Sequence, residues 1–283
     1  MVVLVTGAGG QLGQALQFIA SSYPDVQFVF CDSKELDITN LNNIKLIFEY
    51  FKPKFCINTA AYTAVDKAES ETEKAHLINV VGAKNLAEVC KEFDTILLHI
   101  STDFVFDGTK DSPYSEEDTP NPNDVYGQTK LDGEKAIQET WQKHFIIRTS
   151  WVYSQFGNNF MKTMLRLASE RDKLSVVNDQ IGTPTNAVDL AEVLVKICTS
   201  NFQLPSSNLF GIYNFSNEGQ CSWYDFAKKI FEFNNIKINV EPIPTESFPT
   251  PAKRPAYSVL DKTKIKNAFG IEVKYWEVSL KNI

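Results

Sequence analysis

No stretch of about 18 consecutive apolar residues occurs in the 283-residue sequence, so nothing in it reads as a membrane-spanning helix. The first residues, Met1 to Val5, run straight into a glycine-rich turn without the basic stretch and cleavage site of a secretory signal. A cytoplasmic protein with no membrane partner is therefore expected. Positive charge is in deficit: 28 Lys and Arg against 35 Asp and Glu leave a net charge of −7. That balance argues against a general nucleic-acid partner, and any anionic ligand must be met by local cations. Cysteine and histidine are scarce. Cys31, Cys56, Cys90, Cys198 and Cys221 form no CxxC pair, and His76, His99 and His144 lie far apart. Neither set has the spacing of a disulfide framework or a zinc site, so reduced, mostly buried thiols, ordinary packing or surface histidines and no bound metal are expected. Internal repeats and low-complexity tracts are also missing.

What is present is enough apolar sequence, 43% of residues, to build a sizeable core. Compact aliphatic runs at 2–6, 27–31, 55–58, 96–101 and 145–149 alternate with segments of helical periodicity at 66–93 and 126–139. Short apolar runs alternating with amphipathic helices specify βαβ units and a parallel sheet covered on both faces. The fold class expected is α/β, a Rossmann-type doubly wound parallel sheet with a smaller C-terminal α/β lobe that binds substrate. The dinucleotide-binding domain is assigned to residues 1–172, with a helix over 187–200 packing back on it. The lobe is assigned to 173–186 and 201–283.

Gly7-Ala8-Gly9-Gly10-Gln11-Leu12-Gly13 follows the first strand and opens a helix. In that context backbone N–H groups and the helix N-terminus can receive a pyrophosphate. Gly7, Gly10 and Gly13 are spaced three apart, a GxxGxxG variant of the dinucleotide turn. On its own such a turn is also compatible with a tight strand-to-helix connection that binds nothing. Asp32 closes the second strand, roughly 20 residues on, where a carboxylate can accept hydrogen bonds from the adenosine ribose. Asp at a strand end is also a common turn residue. Ser33 and Lys34 can receive a 2′-phosphate, so NADP(H) and NAD(H) are both expected to be accepted. Asp37 and Ile38 are candidates for framing the adenine, and Ala60 and Ala61 supply small side chains where a dinucleotide passes close to backbone.

Tyr126 and Lys130 stand at i and i+4, neighbours on one face of a helix. A nearby ammonium favours phenolate, so Lys130 is expected to lower the pKa of Tyr126. Alone, the pair is more often an exposed helix face. Thr102 follows the strand at 96–101, at the carboxyl end where open α/β sheets place ligands. Glycine turn, hydroxyl, phenol and ammonium together form the layout of a carbonyl reductase.

With these residues in view, the sequence resembles the extended short-chain dehydrogenases/reductases, and within them the dTDP-4-dehydrorhamnose reductase family. The resemblance rests on Asn58-Thr-Ala-Ala-Tyr-Thr-Ala-Val-Asp66-Lys-Ala-Glu69, Ser101-Thr-Asp-Phe-Val-Phe-Asp-Gly108, Val125-Tyr-Gly-Gln-Thr-Lys130, Arg148-Thr-Ser-Trp-Val-Tyr153, Gly157-Asn-Asn-Phe160, Asp179-Gln-Ile-Gly-Thr-Pro-Thr185 and Pro249-Thr-Pro-Ala-Lys-Arg-Pro255. It implies that Thr102, Tyr126 and Lys130 are catalytic, that Gln11, Leu12 and Thr63 join the cofactor contacts, and that Asp103, Phe104, Trp151, Asn159 and Arg254 face a nucleotide-sugar. The implied reaction is NAD(P)H-dependent reduction of the 4-keto group of dTDP-6-deoxy-L-lyxo-4-hexulose to dTDP-L-rhamnose. Arg254, in a Pro-flanked loop, suits a diphosphate. Phe104 departs from the family, which often has Tyr there, and removes one hydroxyl from the expected sugar site. A homodimer is the expected assembly. Two rival readings are a sugar-nucleotide dehydratase or epimerase and an NADP-binding regulatory subunit resembling methionine adenosyltransferase β. Dehydratases typically follow Thr-Asp with Glu, where this chain has Phe104, and the intact Thr102, Tyr126 and Lys130 favour a working enzyme.

Overall fold

The computed structural model describes residues 1–200 and 209–283. The chain begins with β1 (Val2–Thr6), α1 (Gln11–Ile19), β2 (Gln27–Cys31), α2 (Leu41–Phe51) and β3 (Phe55–Asn58). A broken helical stretch follows, comprising α3 (Val65–Ala68), α4 (Thr72–His76), a π-helical turn at Leu77–Gly82 and α5 (Ala83–Glu92). Then come β4 (Ile96–Thr102), α6 (Val125–Thr140) and β5 (His144–Thr149). These strands pair in parallel, with the spatial order β2-β1-β3-β4-β5. The chain leaves β1 for one edge and returns to its other side, which creates a topological switch point between β1 and β3.

Because successive side chains alternate across the sheet, each strand feeds two cores. Val3, Val5, Ile57 and Leu98 pack on one face, and Leu4, Cys56 and Leu97 on the other. This is why the strands read as continuous apolar runs.

The rest of the chain supplies β6 (Val152–Tyr153), α7 (Phe160–Glu170), β7 (Lys173–Val177), β8 (Ile181–Gly182), β9 (Thr185–Asn186) and α8 (Ala187–Thr199). After residues 201–208, the first part of the segment assigned to the lobe and outside the described residues, come β10 (Gly211–Asn214), β11 (Cys221–Ser222), α9 (Trp223–Phe233), β12 (Asn239–Ile243), α10 (Thr263–Phe269) and α11 (Trp276–Lys281). Helix α8 does pack back on the main sheet, contributing Leu190 and Leu194 to the core that also holds Leu12 and Leu16 of α1. A separate core joins α7, β7, α9 and α11 through Met161, Leu174, Phe226, Ile230 and Trp276.

Four parts of the chain depart from the sequence expectation. Strand β10, in the segment assigned to the lobe, pairs with β5 as a sixth parallel strand, and Ile265 and Phe269 of α10 join the sheet's core. Conversely, α7, counted with the dinucleotide domain, packs on the lobe's core. The stretch at 66–93 is not one helix. It bends after Ala68, and the π turn directs the Asn79 amide at the backbone of Tyr62, accepting from its N at 2.8 Å and donating to its O at 3.1 Å. An apolar period alone carries no sign of such a side-chain bond.

One buried ion pair fastens α6 to β5. Arg148 Nε donates to Glu134 Oε1 at 2.9 Å and Nη2 to Oε2 at 2.7 Å, with side chains only 2% and 1% exposed. The guanidinium also lies over the Phe106 ring. Removing one partner strands the other's charge inside the protein, at a cost of about 3–5 kcal/mol. Arg148→Met is expected to lose stability on that scale in urea unfolding; a loss under about 1 kcal/mol would show that Glu134 escapes to solvent or takes up a proton cheaply.

Candidate active site

At the end of β1, Gly7 adopts φ +68°, and a Cβ there would lie 2.6 Å from Ala60 N. No L side chain fits that approach, so glycine is what lets the loops after β1 and β3 meet at the switch point. Gly10 N–H donates to Gly7 O at 2.9 Å and Gly10 caps α1. The α1 N-terminus has neither a side-chain cap nor an acidic residue in its first turn. Its free N–H groups and positive dipole end suit a diphosphate. Gly13 sits inside α1, and Leu12 turns its side chain into the core, so Leu12 can offer a ligand only backbone. Gln11 is committed elsewhere: Nε2 donates to Val152 O at 3.1 Å, and Oε1 accepts from Ser154 Oγ at 2.9 Å and Asn159 Nδ2 at 2.7 Å.

Asp32 lies across from Gly9, with Oδ1 accepting from Lys34 N at 2.8 Å and Glu35 N at 3.2 Å. No hydrogen bond among the described residues engages its Oδ2. Asp37 Oδ1 accepts from Thr39 N at 2.9 Å, and Ile38 is buried against the second face of the sheet. Only the Ile38 backbone, held by Asn85 Nδ2 at 3.1 Å, is free of the core. Ala60 and Ala61 are half-buried after β3, while Thr63 is exposed.

Thr102 ends β4, and its hydroxyl lies near that of Tyr126, close to the start of α6. Helix α6 is set by Asp124, whose Oδ1 accepts from Gly127 N at 2.8 Å. Gly127 itself is demanded by a close approach, since a Cβ there would lie 2.2 Å from Phe104 O. The Phe104 ring stands edge-on to Tyr126 at 5.6 Å. Next to it, Asp103 accepts from Thr102 Oγ1 at 3.0 Å through Oδ1, while its buried Oδ2 has no hydrogen-bond partner among the described residues. Burial pushes the Asp103 carboxyl up to about 7, opposed by the neighbouring Ser258 and Thr102 hydroxyls.

The expected lowering of the Tyr126 pKa by Lys130 does not occur. Burial drives the phenol well above its ordinary value, and the charges of Asp103 and Asp124 add to the rise. Lys130 lies one turn deeper, its Nζ donating to Ile100 O at 2.6 Å and lying 3.2 Å from His99 Nε2. Burial brings Lys130 down to about 8, opposed by the Glu134 charge. Residues that the sequence reading missed hold it there. Thr6 Oγ1 donates to Asn58 Oδ1 at 2.6 Å, and Asn58 Nδ2 lies 2.9 Å from His99 Nδ1. His99, expected to be an ordinary packing or surface residue, is thus the link between β3 and the lysine. The available signal was weak: a polar side chain inside an otherwise apolar strand.

The second lobe brings Arg254 to α3, where Nη1 meets Asp66 Oδ1 at 3.0 Å and Nη2 meets Oδ2 at 2.8 Å. The guanidinium holds the Asp66 carboxyl below its usual range. Both line a cleft of about 880 Å³ with Phe160, Trp223, Gln180 and Arg171. Trp151, at φ +47°, stacks on Trp223 with centroids 3.5 Å apart and planes 9° from parallel, one edge against Gly182. Asn159 does not join the constellation through its side chain. Its Oδ1 caps α7 by accepting from Lys162 N at 3.0 Å, and its Nδ2 donates to Gln11 Oε1 and to Ser154 O, each at 2.7 Å.

A parallel α/β sheet with a glycine turn at its switch point, and a Thr–Tyr hydroxyl pair backed by lysine at the end of β4, defines an NAD(P)-dependent oxidoreductase of the short-chain dehydrogenase/reductase type. Comparison narrows the class. The sequence model described as RmlD substrate binding domain matches residues 1–283, and the chain belongs to that family. It is 46% identical to the dTDP-4-dehydrorhamnose reductase of Aggregatibacter actinomycetemcomitans over 99% of this chain and 97% of the relative. Among solved structures, the dTDP-4-dehydrorhamnose reductase of Bacillus anthracis in complex with NADP superposes with a TM-score of 0.94 at 40% identity, covering 99% of this chain and 97% of that one. The Clostridium acetobutylicum dTDP-4-dehydrorhamnose reductase ortholog gives a TM-score of 0.93 at 43% identity, covering 100% and 98%.

Gly7→Ala tests the dinucleotide reading of the switch point. A methyl group forced against Ala60 is expected to weaken NADPH binding about tenfold or more, 1.4 kcal/mol, in a fluorescence titration of folded protein. Unchanged affinity would remove the turn from the site.

Proposed function

We propose that this protein is a dTDP-4-dehydrorhamnose reductase, reducing the 4-keto group of dTDP-6-deoxy-L-lyxo-4-hexulose to dTDP-L-rhamnose. The observation that carries the reading is the Thr102–Tyr126 hydroxyl pair at the end of β4, backed by Lys130 and set beside a glycine turn suited to a dinucleotide. Nearly full-length relatives of that activity support it.

NADP(H) or NAD(H) would be held by Gly7, Gly10, Gly13 and the backbone of Gln11 and Leu12, with Asp32 toward the adenosine ribose, Asp37 and Ile38 toward the adenine, and Ala60, Ala61 and Thr63 along its path. Bound there, the reduced nicotinamide supplies hydride to the carbonyl carbon. Thr102 orients the carbonyl oxygen by hydrogen bonding. Tyr126 donates its phenolic proton to the alkoxide as charge develops. A phenol kept protonated by burial suits that role, since at neutral pH it is a ready acid. Lys130 positions the nicotinamide ribose and restores the charge balance as the phenol gives up its proton. Arg254, which lines the cleft, would take the diphosphate, and Asp103, Phe104 and Trp151 would take the sugar, with Asn159 joined to the first turn of α1 through Gln11. Phe104 stands where a dehydratase carries an acid, which favours simple reduction.

Residues 1–172 with 187–200 form the dinucleotide domain in this reading, extended by β10 and α10 and without α7, and the remainder forms the substrate lobe. No described helix is long and apolar enough to cross a membrane, and the described cysteines are all free and buried. Both fit a cytoplasmic enzyme. A homodimer is the proposed assembly.

Tyr126→Phe tests the mechanism. With NADPH and the keto-sugar, turnover is expected to fall about 10²–10⁴-fold while NADPH affinity stays within about twofold. Full turnover in the variant would remove Tyr126 as the acid.

A further inference from the structure

The buried hydrogen bonds at the end of β3 and β4 fix more than position. Asn58 Oδ1 accepts from Thr6 Oγ1 at 2.6 Å and from the Ala60 backbone N–H at 3.1 Å. A backbone N–H can only donate, so the oxygen of this amide must face Ala60 and its NH₂ must face His99. Asn58 Nδ2 therefore donates to His99 Nδ1 at 2.9 Å. A neutral imidazole whose Nδ1 accepts carries its proton on Nε2. That Nε2–H points at Lys130 Nζ, 3.2 Å away. If Lys130 is an ammonium, two donors face each other inside the protein. If it is an amine, the contact is complementary: Nε2–H donates to the Nζ lone pair, and one Nζ–H donates to Ile100 O at 2.6 Å.

We propose that His99 is a positioning residue for Lys130: locked by Asn58 as the Nε2–H tautomer, it disfavours the ammonium and sets the pH at which Lys130 changes charge. Doubly protonated His99 is excluded by its surroundings, since full burial and the charge of Lys130, with His144 of β5 behind it, hold its pKa well below the ordinary value. The other ionisable groups around the lysine are Glu134, one turn along α6, and Tyr126, one turn before. Glu134 favours the ammonium, but it is tied to Arg148 of β5 through both carboxylate oxygens. Burial is the first influence that disfavours the ammonium; the His99 donor acts in the same direction, against the Ile100 carbonyl that accepts from Nζ. The consequence for catalysis rests on the reductase reading. A lysine brought down to about 8 holds its proton below that pH and loses it above, so turnover that needs the ammonium declines as pH rises through about 8.

Asn58→Asp is the informative substitution. One carboxylate oxygen can keep accepting from Thr6 and Ala60, while the other, now an acceptor, accepts a hydrogen bond from a protonated His99 Nδ1. The imidazole turns to its Nδ1–H form and Nε2 becomes an acceptor that welcomes the ammonium. Two measurements on the whole protein decide the matter without substrate. The first is ¹⁵N NMR of the histidine rings, which distinguishes the tautomers. The second is ¹³C NMR of lysine Cε against pH, with Lys130 assigned by Lys130→Met. The expected result is an Nε2–H tautomer for His99 in the native protein, and in Asn58→Asp an Nδ1–H tautomer with the Lys130 midpoint moved up by about one pH unit or more. An Nδ1–H tautomer in the native protein overturns the proposal, and this holds even if the variant fails to fold. So does a tautomer change that leaves the Lys130 midpoint where it was. The expected tautomers and the midpoint shift in the variant, together with native protein that does not turn over the keto-sugar, count against the reductase reading alone.

Discussion

A parallel sheet covered on both faces leaves little room for polar side chains, and this one admits a continuous line of them across three neighbouring strands. Thr6 of β1, Asn58 of β3 and His99 of β4 are each almost wholly buried and connected in sequence to Lys130 of α6. Each would be costly alone, because an unpaired polar group in such a setting loses about 1–3 kcal/mol. Joined, they satisfy one another and fix where α6 sits on the sheet. Tyr126 lies one turn earlier on the same helix, so the depth of Lys130 and the contact between Tyr126 and Thr102 are set together. The placement of α6 against the carboxyl end of β4 rests on this line of hydrogen bonds.

The second lobe is attached to that centre by polar ties as well as by packing. Arg254 reaches across to Asp66 on α3, and it also lowers the cost of ionising Asp124 at the α6 cap, which burial raises to about 6. Gln11, in the first turn after the glycine loop, is tied to Val152 and to Asn159 at the head of α7. The glycine turn is thus tied to the second lobe by side chains whose sequence signature suggested ligand binding. Asn159 and Gln11, expected to touch ligands, instead use their side chains to bond one another and the loops beside them.

Much of this was readable in advance. The central strands, the glycine turn, the hydroxyl at the end of β4 and the Tyr126–Lys130 helix all follow from local pattern, since apolar runs, glycine spacing and i, i+4 placement are properties of neighbouring residues. What escaped reading depends on partners distant in sequence. Strand β10 is four residues long and belongs to the sheet only because β5 lies open to pair with it. The π turn exists for the bond from Asn79 to Tyr62. The acidity of Tyr126 was assigned from its neighbour on the helix, whereas burial beside Asp103 and Asp124 outweighs that neighbour. His99 looked like packing because its partners, Asn58 and Lys130, are 41 and 31 residues away.

The central claim is that the end of β4 is where hydride reaches a sugar carbonyl, and following the hydrogen itself tests it most directly. Folded protein would be given NADPH carrying deuterium at its transferable position together with enzymatically prepared dTDP-6-deoxy-L-lyxo-4-hexulose, and the sugar product analysed by NMR and mass spectrometry. The account predicts dTDP-L-rhamnose with a single deuterium on C4. Absence of deuterium from the sugar, or its appearance at another carbon, would contradict it.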